Sequence, residues 1–233
     1  MTRTSRMPRS LLMLSSLAAL AVTGAPATLA QSNEAERVRE ATTVLSEIMN
    51  APDRAIPNSV AGKAGGVAVF PSLLKGGLVL GAQWGRGIIS VRDAQKGTWS
   101  SPAFLTITGG SFGAQVGGQA VDLVLVIMNG RGLTQLLGNQ FKIGVDAGAT
   151  AGPVGRNAEA STDIQMRAQI LSYSRSRGLY VGVTLNGATI RQDWEANGLF
   201  YGRRLTSKEI VLEGRAGAPP PVPEWTAMLV KYF

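Results

Sequence analysis

Leu78-Val79-Leu80-Gly81-Ala82-Gln83-Trp84-Gly85-Arg86-Gly87-Ile88-Ile89-Ser90-Val91 decides the fold. Leu78–Leu80 and Ile88–Val91 are short apolar runs of strand length, rich in β-branched residues. Glycine recurs between and beside them at 81, 85 and 87. Glycine inside a strand weakens it, unless the backbone must bend tightly or approach another chain segment closely.

The same texture extends from Ala61 to Asp193. Runs at Val67–Phe70, Phe104–Ile107, Val121–Met128, Phe141–Val145, Ile170–Ser174, Leu179–Leu185 and Ala188–Arg191 read as further strands. Their spacing leaves no room for crossover helices, so the sheet is expected to be mainly antiparallel. Glycines at 109, 110, 113, 117, 118, 144, 148, 152, 178, 182 and 187 predict strong curvature. The segments echo one another without a fixed period, so they do not form a repeat array. A short helix is expected near Leu133–Leu137.

Helices flank this region. Between Asn33 and Asn50, Ala35, Val38, Thr42, Leu45 and Met49 recur at intervals of three and four, with Ile48 alongside. Asn33 is the expected cap, Glu34 and Glu36 fall in the first turn, and Pro52 stops the helix. Ser207–Leu212 and Glu224–Phe233 predict short C-terminal helices, separated by the rigid Ala218–Pro223 spacer. The expected class is therefore α+β: one glycine-rich, strongly curved or barrel-like, mainly antiparallel sheet, with an N-terminal helix and short C-terminal helices.

The first thirty residues read differently. Arg3, Arg6 and Arg9 precede the apolar run Leu11–Val22, and a small-residue exit follows through Ala25-Pro26-Ala27 to Ala30. This is the pattern of a cleavable secretory signal, and the apolar run is shorter than the roughly 20 residues a bilayer span needs. Cleavage is expected after Ala30, with Ala27 as the alternative. The expected division is signal 1–30, N-terminal helix 31–52, main domain 53–205 and C-terminal segment 206–233 packed on it. The protein is then expected outside the cytoplasm, periplasmic or secreted, and peripheral on a membrane.

Composition narrows function. The 233 residues contain no histidine and no cysteine. That removes the commonest general base, the commonest metal ligands and any disulfide. Gly109-Gly110-Ser111-Phe112-Gly113 has the spacing of a nucleophile elbow, but no histidine can serve its serine. Gly62-Lys63 is followed by Ala64 where a phosphate loop needs Ser or Thr. The carboxylates Asp93, Asp122, Asp146, Asp163 and Asp193 are scattered, with no calcium-loop spacing. No catalytic residue, cofactor or metal is expected.

Charge points elsewhere. Residues 51–208 carry 16 basic and 8 acidic groups, and a basic body favours anionic partners. Nucleic acid is not expected, because the aromatics do not interleave with the cations. An outer-membrane barrel fits the glycine and strand content. It also requires strict alternation, and Val121–Met128 is mostly continuous.

The order of motifs adds a resemblance. Ile56-Pro57 precedes Gly66–Pro71 and Lys75-Gly76-Gly77. Gly97–Pro102, Ser111–Gly117, Asp122 with Val124, Val126 and Asn129, and Lys142–Asp146 follow. Then come Ala151–Arg156, Tyr173–Leu179 and Asn197–Gly202. Over about residues 40–205 the chain closely resembles the SYLF-domain family, whose yeast member is known as an actin-binding protein. The resemblance implies a non-enzymatic module that binds anionic phospholipids, phosphoinositides in eukaryotic relatives, some of which also bundle actin. A protein partner or structural role in the cell envelope is the alternative. Eukaryotic members are described as using a basic amphipathic N-terminal segment on membranes, whereas residues 34–47 here are net acidic. From charge, and from their place beside these motifs, Lys63, Lys75, Lys142, Arg156, Arg175 and Arg177 are the expected headgroup ligands. Arginine holds phosphate bidentately and lysine as a point charge.

Overall fold

The computed structural model describes residues 25–51, 56–77, 80–112, 117–146, 148–153, 168–176, 179–180, 185 and 187–233. Arg156, Arg177, the leader up to residue 24 and most of Leu179–Leu185 lie outside them.

Among the described residues nine strands form one curled half-barrel sheet. They are β1 (Gly66–Gly77), β2 (Leu80–Val91), β3 (Ala103–Phe112), β4 (Gly117–Ile127), β5 (Phe141–Lys142), β6 (Ala149–Ala151), β7 (Ile170–Ser176), β8 (Leu179–Tyr180) and β9 (Thr189–Gln192). The order across the sheet is β5-β9-β3-β2-β1-β4-β7-β6, with β8 paired to β7. Every pairing among the described residues is antiparallel except β6 with β7. The glycines at 85 and 87 do not interrupt β2, which is one strand from Leu80 to Val91. A Cβ on Gly87 would lie 2.4 Å from the Val69 carbonyl oxygen and 2.5 Å from the Phe70 ring. The tight curl therefore admits only glycine there.

Among the described residues six helices accompany the sheet: α1 (Ala25–Met49), α2 (Asn58–Ala61), α3 (Gly130–Leu136), α4 (Trp194–Tyr201), α5 (Ser207–Val211) and α6 (Val222–Tyr232). No described helix is long and apolar enough to cross a membrane. α1 starts eight residues before Asn33, so Asn33 is an interior residue and not the cap. α3 begins three residues earlier than the sequence pattern, because the Asn129 side chain caps it by accepting from the Gly132 N–H at 3.0 Å. α4 was not expected from periodicity. Asp193 caps it, and the buried Asn197 carboxamide accepts from the Phe104 N–H at 2.9 Å.

The core has two layers. On the convex face, Val67, Val69, Ile88, Phe104, Val124, Val126 and Tyr173 pack under Val38, Ala41, Leu45 and Ile48 of α1, Phe200 of α4 and Trp225 of α6. On the concave face, Phe70, Leu73, Leu105, Ile107, Leu123, Leu125 and Ile190 pack with α3 and α5. Two ion pairs, one buried and one exposed, tie α1 across the sheet. Arg37 bonds Asp193 beside β9 at 3.1 Å, and Glu47 pairs with Arg175 on β7.

α5 carries a full capping box. Thr206 accepts from the Glu209 N–H at 3.0 Å, and Glu209 accepts from the Thr206 N–H at 2.8 Å. Thr206→Ala should cost about 1 kcal/mol by denaturant titration. A change below a few tenths would show that tertiary packing alone holds α5.

Candidate functional site

α1 covers only part of the convex face. β-Strand alternation places Ala82, Trp84 and Arg86 of β2 outward, while Gln83, Gly85 and Gly87 face the concave side. One β1 bulge completes this surface. Phe70 pairs Leu123 and Leu73 pairs Val121, so β1 carries one extra residue between them. Ser72 takes a left-handed φ of 52° there, and its N–H donates to Asp122 Oδ1 at 3.0 Å. The extra residue keeps Leu73 inward, aims Leu74 outward and returns Lys75 to the concave side.

The result is a row in continuous register across six strands: Ala120, Leu74, Trp84, Thr108, Thr189 and Lys142. At about 4.8 Å per strand it spans roughly 24 Å. Leu74 is 53% and Trp84 48% exposed. A second row, two residues along, holds Arg86, Thr106 and Arg191. Arg86 stacks 6.0 Å from the Trp84 ring, and Arg191 donates to Gln140 Oε1 at 3.0 Å. Among the described residues Arg86, Lys142 and Arg191 have no ion-pair partner.

The surface is thus an apolar centre with an exposed indole, bordered by three unpaired cations. A groove of about 390 Å³ runs between it and α1, lined by Glu36, Arg37, Glu40, Ser72, Trp84 and Arg86. Glu36 is held by Arg39 at 2.9 Å. This arrangement has no nucleophile–base pair. It can adsorb an interface that is apolar inside and anionic at its rim.

The six expected headgroup ligands do not converge. Lys142 ends the exposed row. Lys63 stands exposed on the turn after α2, at the other end of the sheet. Lys75 is half-buried on the concave face, where burial lowers its pKa. Arg175 is outward on β7, in register with Asp122 and paired with Glu47. Arg156 and Arg177 fall outside the described residues. Asp122 ties the β1 bulge. Asp146 accepts from the Lys142 N–H at 2.6 Å, and the buried Tyr173 hydroxyl has its pKa raised by burial. Ser111 lies within β3, in register with Gly81, so it sits on no strand-to-helix turn.

Leu74, Trp84, Arg86 and Arg191 were missed from the sequence. The alternation Ala82, Trp84, Arg86 was readable, but which face stays open depends on where α1 lies.

A family model described as "Ysc84: Las17-binding protein actin regulator" matches residues 108–232, more than half the chain. SH3 domain-containing YSC84-like protein 1 of Xenopus laevis is 34% identical over 175 residues, 74% of this chain and 51% of that protein. The human protein of the same name is 33% identical over 178 residues, 76% of this chain and 51% of its own length. Protein YSC84 of Saccharomyces cerevisiae is 34% identical over 173 residues, 72% of this chain and 36% of the yeast protein. The chain therefore spans between about a third and a half of the length of these relatives. On the residues matched and the identity to these relatives, the chain belongs to the Ysc84 family, the SYLF-domain proteins.

Proposed function

We propose that the protein is a non-enzymatic, peripheral membrane protein that docks on anionic phospholipid through the open half of its convex face. The observation that carries this reading is the exposed Leu74–Trp84 pair in register with Lys142 and bordered by Arg86 and Arg191. Trp84 and Leu74 would enter the headgroup–acyl boundary, where an indole is both apolar and polar. The three cations would meet phosphate, each worth about 1 kcal/mol near an anionic surface. The basic leader with its short apolar run supports an exported protein acting at its own envelope. The outer-membrane barrel is the weaker reading, since helices α1, α4 and α6 cover part of the face that lipid would have to meet.

Vesicle flotation tests it. The full chain should float with anionic vesicles and not with neutral ones, and added salt should release it. The triple variant Arg86→Gln, Lys142→Gln, Arg191→Gln should bind about 100-fold more weakly, from roughly 3 kcal/mol lost. Flotation unaffected by salt and by the triple variant would sink the proposal.

A protein partner on the same face is the second reading, favoured by the groove between α1 and Trp84 and by relatives named as Las17-binding. Absence of vesicle binding, together with a Trp84-dependent protein complex, would select it.

A further inference from the structure

On the concave face, behind the proposed membrane surface, lies a second polar row. Lys75 of β1 is in register with Gln83 of β2 on one side and Gln119 of β4 on the other. Directly opposed residues of an antiparallel pair hold their Cβ atoms about 4.5–5.5 Å apart. The three side chains therefore rise side by side from the concave face. Beyond Gln83 the row ends at Gly109, whose missing Cβ would come within 3.1 Å of Gln83 Nε2.

Gln83 is 2% exposed, yet neither Nε2 nor Oε1 has a hydrogen-bond partner. A buried carboxamide left with nothing on either atom is costly and calls for an explanation. Lys75, half-buried beside it, has no ion-pair partner among the described residues. Burial lowers its pKa with no carboxylate to offset it. The neighbouring concave positions Leu73, Gly85, Ile107 and Val121 are apolar or bare.

We propose that Lys75, Gln83 and Gln119 form an oxyanion site of the phosphate type in the concave mouth of the half-barrel, separate from the convex docking face. Lys75 is the accessible rim and supplies charge. Gln83 is the floor, its Nε2 donating to an anionic oxygen and its Oε1 accepting from a hydroxyl on the phosphorus or on the adjoining carbon. Gln119 flanks the lysine as the second amide. A phosphate monoanion, or the phosphate and hydroxyl of a glycerol phosphate headgroup, satisfies both orphaned atoms of Gln83. A bare metal cation satisfies neither Lys75 nor Nε2.

The test uses the full chain, its Lys75→Met and Gln83→Leu variants, and the convex-face triple variant. Thermal unfolding is followed with inorganic phosphate and with glycerol 3-phosphate. Flotation on phosphatidylglycerol vesicles is run in parallel. A raised midpoint with the soluble phosphates, abolished in Lys75→Met and Gln83→Leu but kept in the triple variant, establishes a site for free phosphate. No response to soluble phosphate, with vesicle affinity weakened at least about tenfold in Gln83→Leu, assigns the site to a lipid headgroup. Because Gln83 has no partner to lose, Gln83→Leu should melt at or above the parent without phosphate, so loss of response is not loss of fold. Equal responses in the parent, Lys75→Met and Gln83→Leu, or no response to any of the three probes, would overturn the proposal. Failure of the convex face alone would show only in the triple variant.

Discussion

Trp225→Ala is expected to cost about 5 kcal/mol of folding free energy, the largest loss from any single side chain considered. Trp225 is fully buried on α6, among α1 and the convex face of the sheet. Removing a buried Trp side chain typically costs about 3–5 kcal/mol in lost transfer and cavity terms. Its Nε1 also donates to Ser90 Oγ at 2.8 Å, and Ser90 is fully buried on β2. Losing that donor strands the hydroxyl, which adds about 1–3 kcal/mol. A domain is commonly stable by only about 5–15 kcal/mol, so the variant should unfold at low denaturant or fail to accumulate. Trp225→Phe keeps most of the volume and should show mainly the hydrogen-bond loss. A Trp225→Ala cost below about 2 kcal/mol would mean that α6 is not part of the cooperative core.

Arg37→Met should cost about 3–5 kcal/mol, because it leaves buried carboxylates uncompensated. Arg37 is 4% exposed on α1, 2.8 Å from Glu34 and 3.1 Å from Asp193, and its guanidinium lies 5.2 Å over the Phe104 ring. It joins α1 to β3 and to the cap of α4 in one contact set. The loss should be local first. Amide exchange should quicken along α1 and the start of α4 before the sheet opens. Adding Glu34→Gln should restore part of the stability by deleting one stranded charge. Burial raises the Glu34 pKa, with Arg37 opposing. A carboxyl raised in the folded state favours folding below its unfolded pKa, and loses that contribution as pH rises through the folded value. Acidification toward the carboxylate range should therefore narrow the gap between Arg37→Met and the parent. A pH-independent cost under about 1 kcal/mol would contradict a buried-charge anchor.

These two residues also mark what the sequence made readable. The strands were legible because short β-branched runs and turn residues bound them, and the close approach at Gly87 is what repeated strand glycine implied. The stripe through Val38, Leu45 and Ile48 identified α1, though the cap-like Asn33 drew its start too late. α4 was not legible. Its signal lies in the long-range bond from Asn197 to the β3 backbone and in burial on several sides, neither of which leaves a helical stripe. The bulge at Ser72 was also invisible, since an extra residue in one strand is defined only by its partner. That one residue sends Leu74 to the convex face and Lys75 to the concave one, so charge alone placed Lys75 with Lys142 when the fold separates them by a sheet thickness. Of the convex row, charge and motif position pick out only Lys142, because its members come from six strands that the chain order scatters.

The chain contains no cysteine, so single cysteines can be placed cleanly. Thr108 is exposed in the convex row beside Trp84, whereas Lys63 is exposed about 25 Å away, along the length of β1. An environment-sensitive dye on Thr108→Cys should shift to the blue when anionic vesicles are added, while the same dye on Lys63→Cys should keep its aqueous spectrum. A shift at Lys63→Cys with none at Thr108→Cys would contradict docking through the open convex face.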